Sequence, residues 1–186
     1  MAHGAGGHKD DRGMLRLADV LSPLGEVVRF NFPYRDKASG RPDPMPVLKQ
    51  TIADHAERFA ASKLFLGGRS MGGRAASMLV ANGFACRGLL LFAYPLHPAG
   101  QPDKLRDVHL AKIGVPVLCF NGTRDAFCTR ALMEAAVGGL PNWTMHWLEG
   151  ADHSFRVLKS SGRTDAEVHA EIAQAAQRWL DGMRVA

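Results

Sequence analysis

Gly68-Arg69-Ser70-Met71-Gly72 sets a serine at the centre of a G-x-S-x-G pentapeptide. In that pattern a tight strand-to-helix turn holds the serine on strained backbone and presents its Oγ to a cleft. The flanks supply the context it needs: residues 63–67 read as a short buried strand and 72–82 as a helix of small residues. Glycine at both ends of the turn allows a closeness of strand and helix that a Cβ would obstruct. A hydroxyl held this way becomes a nucleophile once a base takes its proton and a third group orients the base. Asp125, in Asn121-Gly122-Thr123-Arg124-Asp125, and His153, in the loop 149–155, supply acid and imidazole. The chain order serine, acid, histidine is one in which this chemistry recurs.

The other seven of the eight histidines fit the base role less well. His55 and His169 fall in expected helices, His146 within a strand, and His3, His8 and His109 in loops with no acid beside them. His97 is the rival, because it too follows a strand end. Asp152 adjoins His153 too closely in sequence to orient it, and Asp103 and Asp107 lie farther from a strand end than Asp125. A negative charge developing on a carbonyl oxygen needs two backbone N–H groups aimed at it. Met71 offers one. The other is expected from the loop His3-Gly4-Ala5-Gly6-Gly7, at Gly4 or Ala5, although that glycine run alone also reads as a frayed terminus.

These side chains need a scaffold that brings them together. Apolar residues at Met14, Leu17, Ala18 and Leu21 give a helix over 13–22, and 26–32 reads as a strand closed by Pro33. Four prolines between 33 and 46 make a stiff loop before a helix over about 47–60, with Leu48, Ile52, His55 and Phe59 on one face. Continuous apolar runs at 87–93 and 115–120 read as strands covered on both faces. A short helix is expected near 103–107. A helix over 129–137, a strand over 143–148 and a closing helix over 165–182 complete the chain, with Val168, Ile172, Ala175, Ala176 and Trp179 on the last helix's buried stripe. Alternating strands and helices imply parallel crossovers, hence an α/β sheet with helices on both faces. In such sheets the site lies at the carboxyl ends of the strands. Ser70, Asp125 and His153 all fall just past such ends.

At 186 residues and 46% hydrophobic, the chain reads as one domain, 1–186, with a substantial core. A net charge of +5 with no block of like charges gives no reason to expect nucleic acid. Three cysteines, Cys86, Cys119 and Cys128, lack disulfide or zinc spacing, which fits a reducing cytoplasm. Cys128 reads as a packed thiol. No apolar run is long enough to cross a bilayer, so no membrane partner is expected. Arg29, Arg35, Arg69 and Arg74 sit on elements near the expected cleft. They read either as recognition of an acidic substrate group or, more simply, as salt-bridged surface.

The motifs 3–7, 68–72, 122–125 and 150–153 together resemble the α/β-hydrolase superfamily over nearly the whole chain. The resemblance is to its small, lidless, dienelactone-hydrolase-like members. Phe32-Pro33-Tyr34 and Tyr94-Pro95-Leu96-His97-Pro98 resemble the branch that includes testis-expressed protein 30 and non-specific lethal 3. The resemblance implies an α/β-hydrolase fold and a triad of Ser70, Asp125 and His153. The expected function is a serine hydrolase taking a small-molecule ester or thioester, with no cofactor and no metal. Tyr34, Tyr94, His97 and Arg69 are the candidates to contact substrate. The competing expectation is a non-catalytic interaction module with a vestigial triad. In the superfamily the loop carrying the oxyanion donors follows a strand in the middle of the sheet, between the strands expected here at 26–32 and 63–67. Only Met1 and Ala2 precede that loop in this sequence. The expectation is therefore that a strand-bearing segment is missing or that the sheet closes without it.

Overall fold

The apolar runs pair into a four-stranded, all-parallel sheet in the computed structural model, which describes residues 1–185. The strands are β1 (Phe65–Arg69), β2 (Gly88–Phe92), β3 (Val117–Gly122) and β4 (Trp143–Leu148), and they lie in sequence order. Gly68 pairs with Leu91, Leu91 with Cys119, and Cys119 with Met145. Parallel neighbours need crossovers, and α4 (Met71–Ala81) and α5 (Arg130–Val137) provide two of the three. The helices α1 (Arg12–Leu21), α2 (Pro33–Asp36) and α3 (Met45–Ala56) precede the sheet, and α6 (Asp165–Val185) follows it.

Side-chain alternation along the strands builds two cores. Leu89, Leu91, Val117 and Cys119 pack with Leu48, Ile52, Ala75 and Val80 of α3 and α4. Leu118, Phe120 and Leu148 pack with Leu17 and Leu21 of α1 and with Val168 and Ile172 of α6. The sheet is thus covered by helices on both faces. No helix among the described residues is long and apolar enough to cross a membrane.

The sheet departs from the sequence reading on its β1 side. Residues 26–29 form no ladder, and the expected strand 26–32 is reduced to a single parallel bridge between Phe30 and Ala2. Ala2 also bridges Gly68, so this one residue lies between Phe30 and β1. Its N–H donates to Gly67 O at 2.9 Å, and its carbonyl accepts from Arg69 N at 2.9 Å. A strand needs a neighbour of matching length, and the neighbour that bridges Phe30 is one residue long. The Met1 α-amino group donates to Val28 O at 2.6 Å. Burial first, then the Arg29 charge, pulls its pKa down from 8.0 to about 5.

Three smaller differences have local causes. Pro33 enters α2 at its first turn, where its missing N–H is not needed, so the proline-rich segment begins with a helical turn. α3 ends at Ala56, which leaves Phe59 beyond the helix and exposed. The helix expected near 103–107 is absent, and a single 3₁₀ turn, Leu110–Lys112, lies between β2 and β3 instead.

Candidate active site

The elbow after β1 is built by glycines. A Cβ on Gly68 would lie 2.5 Å from the backbone of Gly72 and Gly73, so strand and helix approach closer than any other residue permits. Ser70 sits at their junction with φ 51° and ψ −118°, a conformation uncommon for a residue with a side chain. Its N–H donates to Phe92 O at 2.8 Å and its carbonyl accepts from Arg74 N at 3.0 Å, which holds the strained turn against β2 and α4.

Three side chains far apart in sequence meet here. Ser70 Oγ lies 2.9 Å from His153 Nε2, and His153 Nδ1 lies 2.9 and 2.8 Å from the two carboxylate oxygens of Asp125. A carboxylate can only accept, so Nδ1 carries the proton and Nε2 presents its lone pair to the serine O–H. The Asp125 side chain is fully buried, and its environment satisfies it. Phe127 N donates to Oδ1 at 2.8 Å and Asn121 Nδ2 to Oδ2 at 3.2 Å. The Phe127 ring lies 4.5 Å from the imidazole.

Gly4 lies against the serine: a Cβ there would sit 3.4 Å from Ser70 Cβ. The glycine-rich loop that carries it is tied down. His3 is buried, its Nε2 accepts from Phe32 N at 3.2 Å, and its Nδ1 therefore donates to Gly4 O at 2.8 Å. Tyr34 OH donates to Ala5 O at 2.7 Å. Met71 opens α4, so its N–H has no partner within the helix.

The residues expected to contact substrate also make bonds within the protein. The Tyr34 hydroxyl is committed to Ala5 and the Tyr94 hydroxyl to Arg106 O at 2.8 Å. His97 is 3% exposed. Its Nε2 accepts from Thr129 N at 3.1 Å and its Nδ1 donates to Pro98 O at 2.9 Å, which pins the loop after Asp125. The Arg69 guanidinium donates to His153 O at 3.0 Å and to Ser154 Oγ at 3.3 Å, joining the elbow to the histidine loop. Burial, then Asp125, pushes the Cys128 thiol well up, which suits a packed thiol.

Sequence reasoning missed Asn121. It is buried, and besides Asp125 it bonds both backbone groups of Tyr94, at 3.1 Å each. A polar residue at the end of an otherwise apolar strand, four positions before the acid, was the available signal. A cavity of about 500 Å³ lies away from Ser70 between residues 24–30 and 63–66 and is lined by Val28, Phe30 and Phe65. Among the described residues no group of His, Cys, Asp and Glu could hold a metal ion.

A family model described as an alpha/beta hydrolase domain matches residues 1–181. Solved structures share the fold. An alpha-beta serine hydrolase homologue from Coxiella burnetii is 22% identical with a TM-score of 0.69, over 94% of this chain and 83% of that one. Est1E from Butyrivibrio proteoclasticus is 14% identical with a TM-score of 0.70, over 97% and 86%. A dienelactone hydrolase from Anabaena variabilis is 19% identical with a TM-score of 0.68, over 97% and 83%.

Proposed function

The chain belongs to the alpha/beta hydrolase family, and from that premise we propose that it is a serine hydrolase cleaving a small ester or thioester through an acyl-enzyme on Ser70. The observation that carries the reading is the His153 imidazole, hydrogen-bonded to Ser70 Oγ on one side and to the buried Asp125 carboxylate on the other. Ser70 Oγ attacks the carbonyl carbon as its proton passes to His153 Nε2. Asp125 stays ionised and steadies the imidazolium. The oxyanion that forms faces the N–H of Met71 and that of Gly4 or Ala5. His153 then returns the proton to the departing alkoxide or thiolate. Water activated by the same imidazole cleaves the acyl-enzyme.

The proposed kinship extends to the branch of testis-expressed protein 30 and non-specific lethal 3. That kinship rests on Phe32-Pro33-Tyr34 and Tyr94–Pro98, two segments that brace the site's loops. A fluorophosphonate probe tests the activity. Labelling of the wild type and not of Ser70→Ala is expected; an unlabelled, folded wild type would point to an interaction module that keeps the fold without the chemistry.

A further inference from the structure

Four arginines stand on elements near the cleft, and three are engaged. Arg29 donates to Lys9 O at 2.9 Å and pairs with Asp10 at 3.4 Å. Arg35 reaches Gly6 O at 3.4 Å, and Arg69 holds the His153 loop. Arg74 differs. Its side chain makes no hydrogen bond or ion pair among the described residues, and its buried Nε has no partner.

Arg74 lies one helical turn after Ser70, in the first turns of α4, and its charge acts on Tyr94, Arg106 and His109. A second guanidinium is brought to the same place. Tyr94 OH donates to Arg106 O at 2.8 Å, and Arg106 N donates to Leu96 O at 2.7 Å. Ser77 Oγ donates to Arg74 O at 2.8 Å and, its proton used, accepts from His109 Nε2 at 2.8 Å. The Ser77–His109 bond stitches the connection after β2 onto α4. Arg106 reaches only Pro95 O, at 3.5 Å, and no carboxylate pairs with either arginine among the described residues.

Positive charge has therefore been gathered here with no carboxylate paired to either arginine among the described residues. Burial, then the Arg74 charge, pulls the Arg106 pKa down and brings His109 to about 4. Asp107 is the one acid that acts back on His109. Unpaired cations partly withdrawn from water are unfavourable unless an anion joins them.

We propose that Arg74 and Arg106 form an anion subsite beside Ser70, and that the substrates are esters or thioesters whose acyl part ends in a carboxylate. The proposal rests on Ser70 being the nucleophile, and two measurements separate the claims. The first compares mono(4-nitrophenyl) glutarate with 4-nitrophenyl butyrate. The wild type should favour the glutarate ester in kcat/KM at low ionic strength. Arg74→Gln and Arg106→Gln should each lower that ratio about tenfold, the loss of about 1.4 kcal/mol, and Arg74→Lys should retain part of it. Salt at about 1 M, with a screening length of about 3 Å, should shrink the preference. A wild-type ratio near one, or one unmoved by Arg74→Gln, overturns the subsite. The second measurement titrates glutarate into Ser70→Ala calorimetrically, so it reads the subsite whether or not the protein is a catalyst. Binding lost in Ser70→Ala/Arg74→Gln supports the subsite. No binding, or tighter binding of inorganic phosphate than of glutarate, overturns the carboxylate assignment.

Discussion

Arg69→Met removes the tie between the nucleophile elbow and the loop that carries His153. The guanidinium makes one good bond, to His153 O at 3.0 Å, and one longer bond, to Ser154 Oγ at 3.3 Å. Burial opposes its charge, and Asp11, Asp152 and Asp125 offset that burial. A charge-assisted bond contributes about 1.5–3 kcal/mol, so with the weaker second bond the variant should lose about 2–3 kcal/mol of stability. The loop keeps its own bonds, from Phe155 N to Asp152 O at 2.9 Å and from Asp152 N to Arg156 O at 2.9 Å, so it should shift rather than unfold. A shift of about 1 Å at the imidazole would cost about a hundredfold in kcat. Steady-state kinetics on a neutral 4-nitrophenyl ester, with urea unfolding in parallel, reads both effects. The expected pattern is a large fall in kcat with little change in KM, partly restored by Arg69→Lys. A stability loss with wild-type kcat would refute the positioning argument. A raised KM with kcat unchanged would instead favour the substrate-contacting role expected of Arg69.

His109 should make stability depend on pH. Its folded pKa, about 4, lies below the ordinary histidine value of 6.5, so between these the unfolded chain binds the proton and the folded chain does not. Stability is then lost as pH falls from 6.5 toward 4, by about 1–2 kcal/mol for a ring this accessible. Urea unfolding at both pH values should show a smaller difference for His109→Gln than for the wild type. Asn121→Leu strands the N–H of buried Tyr94, whose carbonyl keeps its bond from Leu96 N, and removes a donor from Asp125. A loss of about 2–4 kcal/mol is expected in the same unfolding assay, with reduced kcat in whatever folds. Gly72→Ala sets a Cβ 2.5 Å from Ala2 O and 2.6 Å from His3 O, which forces the glycine-rich loop away from Ser70. Withdrawal of an oxyanion donor should lower kcat by about 10²–10³, and unchanged turnover would remove that loop from the site.

The parts of this fold set by local pattern were legible in the sequence. Apolar runs located β2 and β3, the spacing of Met14, Leu17, Ala18 and Leu21 located α1, and the glycines of 68–73 located the elbow. What failed depended on neighbours the chain does not announce. Residues 26–32 have strand composition, but pairing is a property of two segments, and among the described residues Ala2 alone bridges Phe30. The meeting of Ser70, Asp125 and His153 was legible because all three follow strand ends, and strand ends in a parallel sheet share one rim. The partners that Tyr34, Tyr94, His97 and Arg69 find within the protein were not legible. Satisfaction of a buried hydrogen-bonding group is a three-dimensional fact. Arg74 shows the converse, since only the structure separates an unpartnered arginine from its engaged neighbours.

Covalent capture on Ser70 tests the mechanism most directly. The wild type, mixed rapidly with a 4-nitrophenyl ester and quenched in acid, should release one equivalent of nitrophenol in a burst. Mass spectrometry should then find the acyl group on the peptide containing Ser70, with both signals absent from Ser70→Ala. Turnover with no burst and no acyl group on that peptide, or acylation of a different residue, would contradict the account.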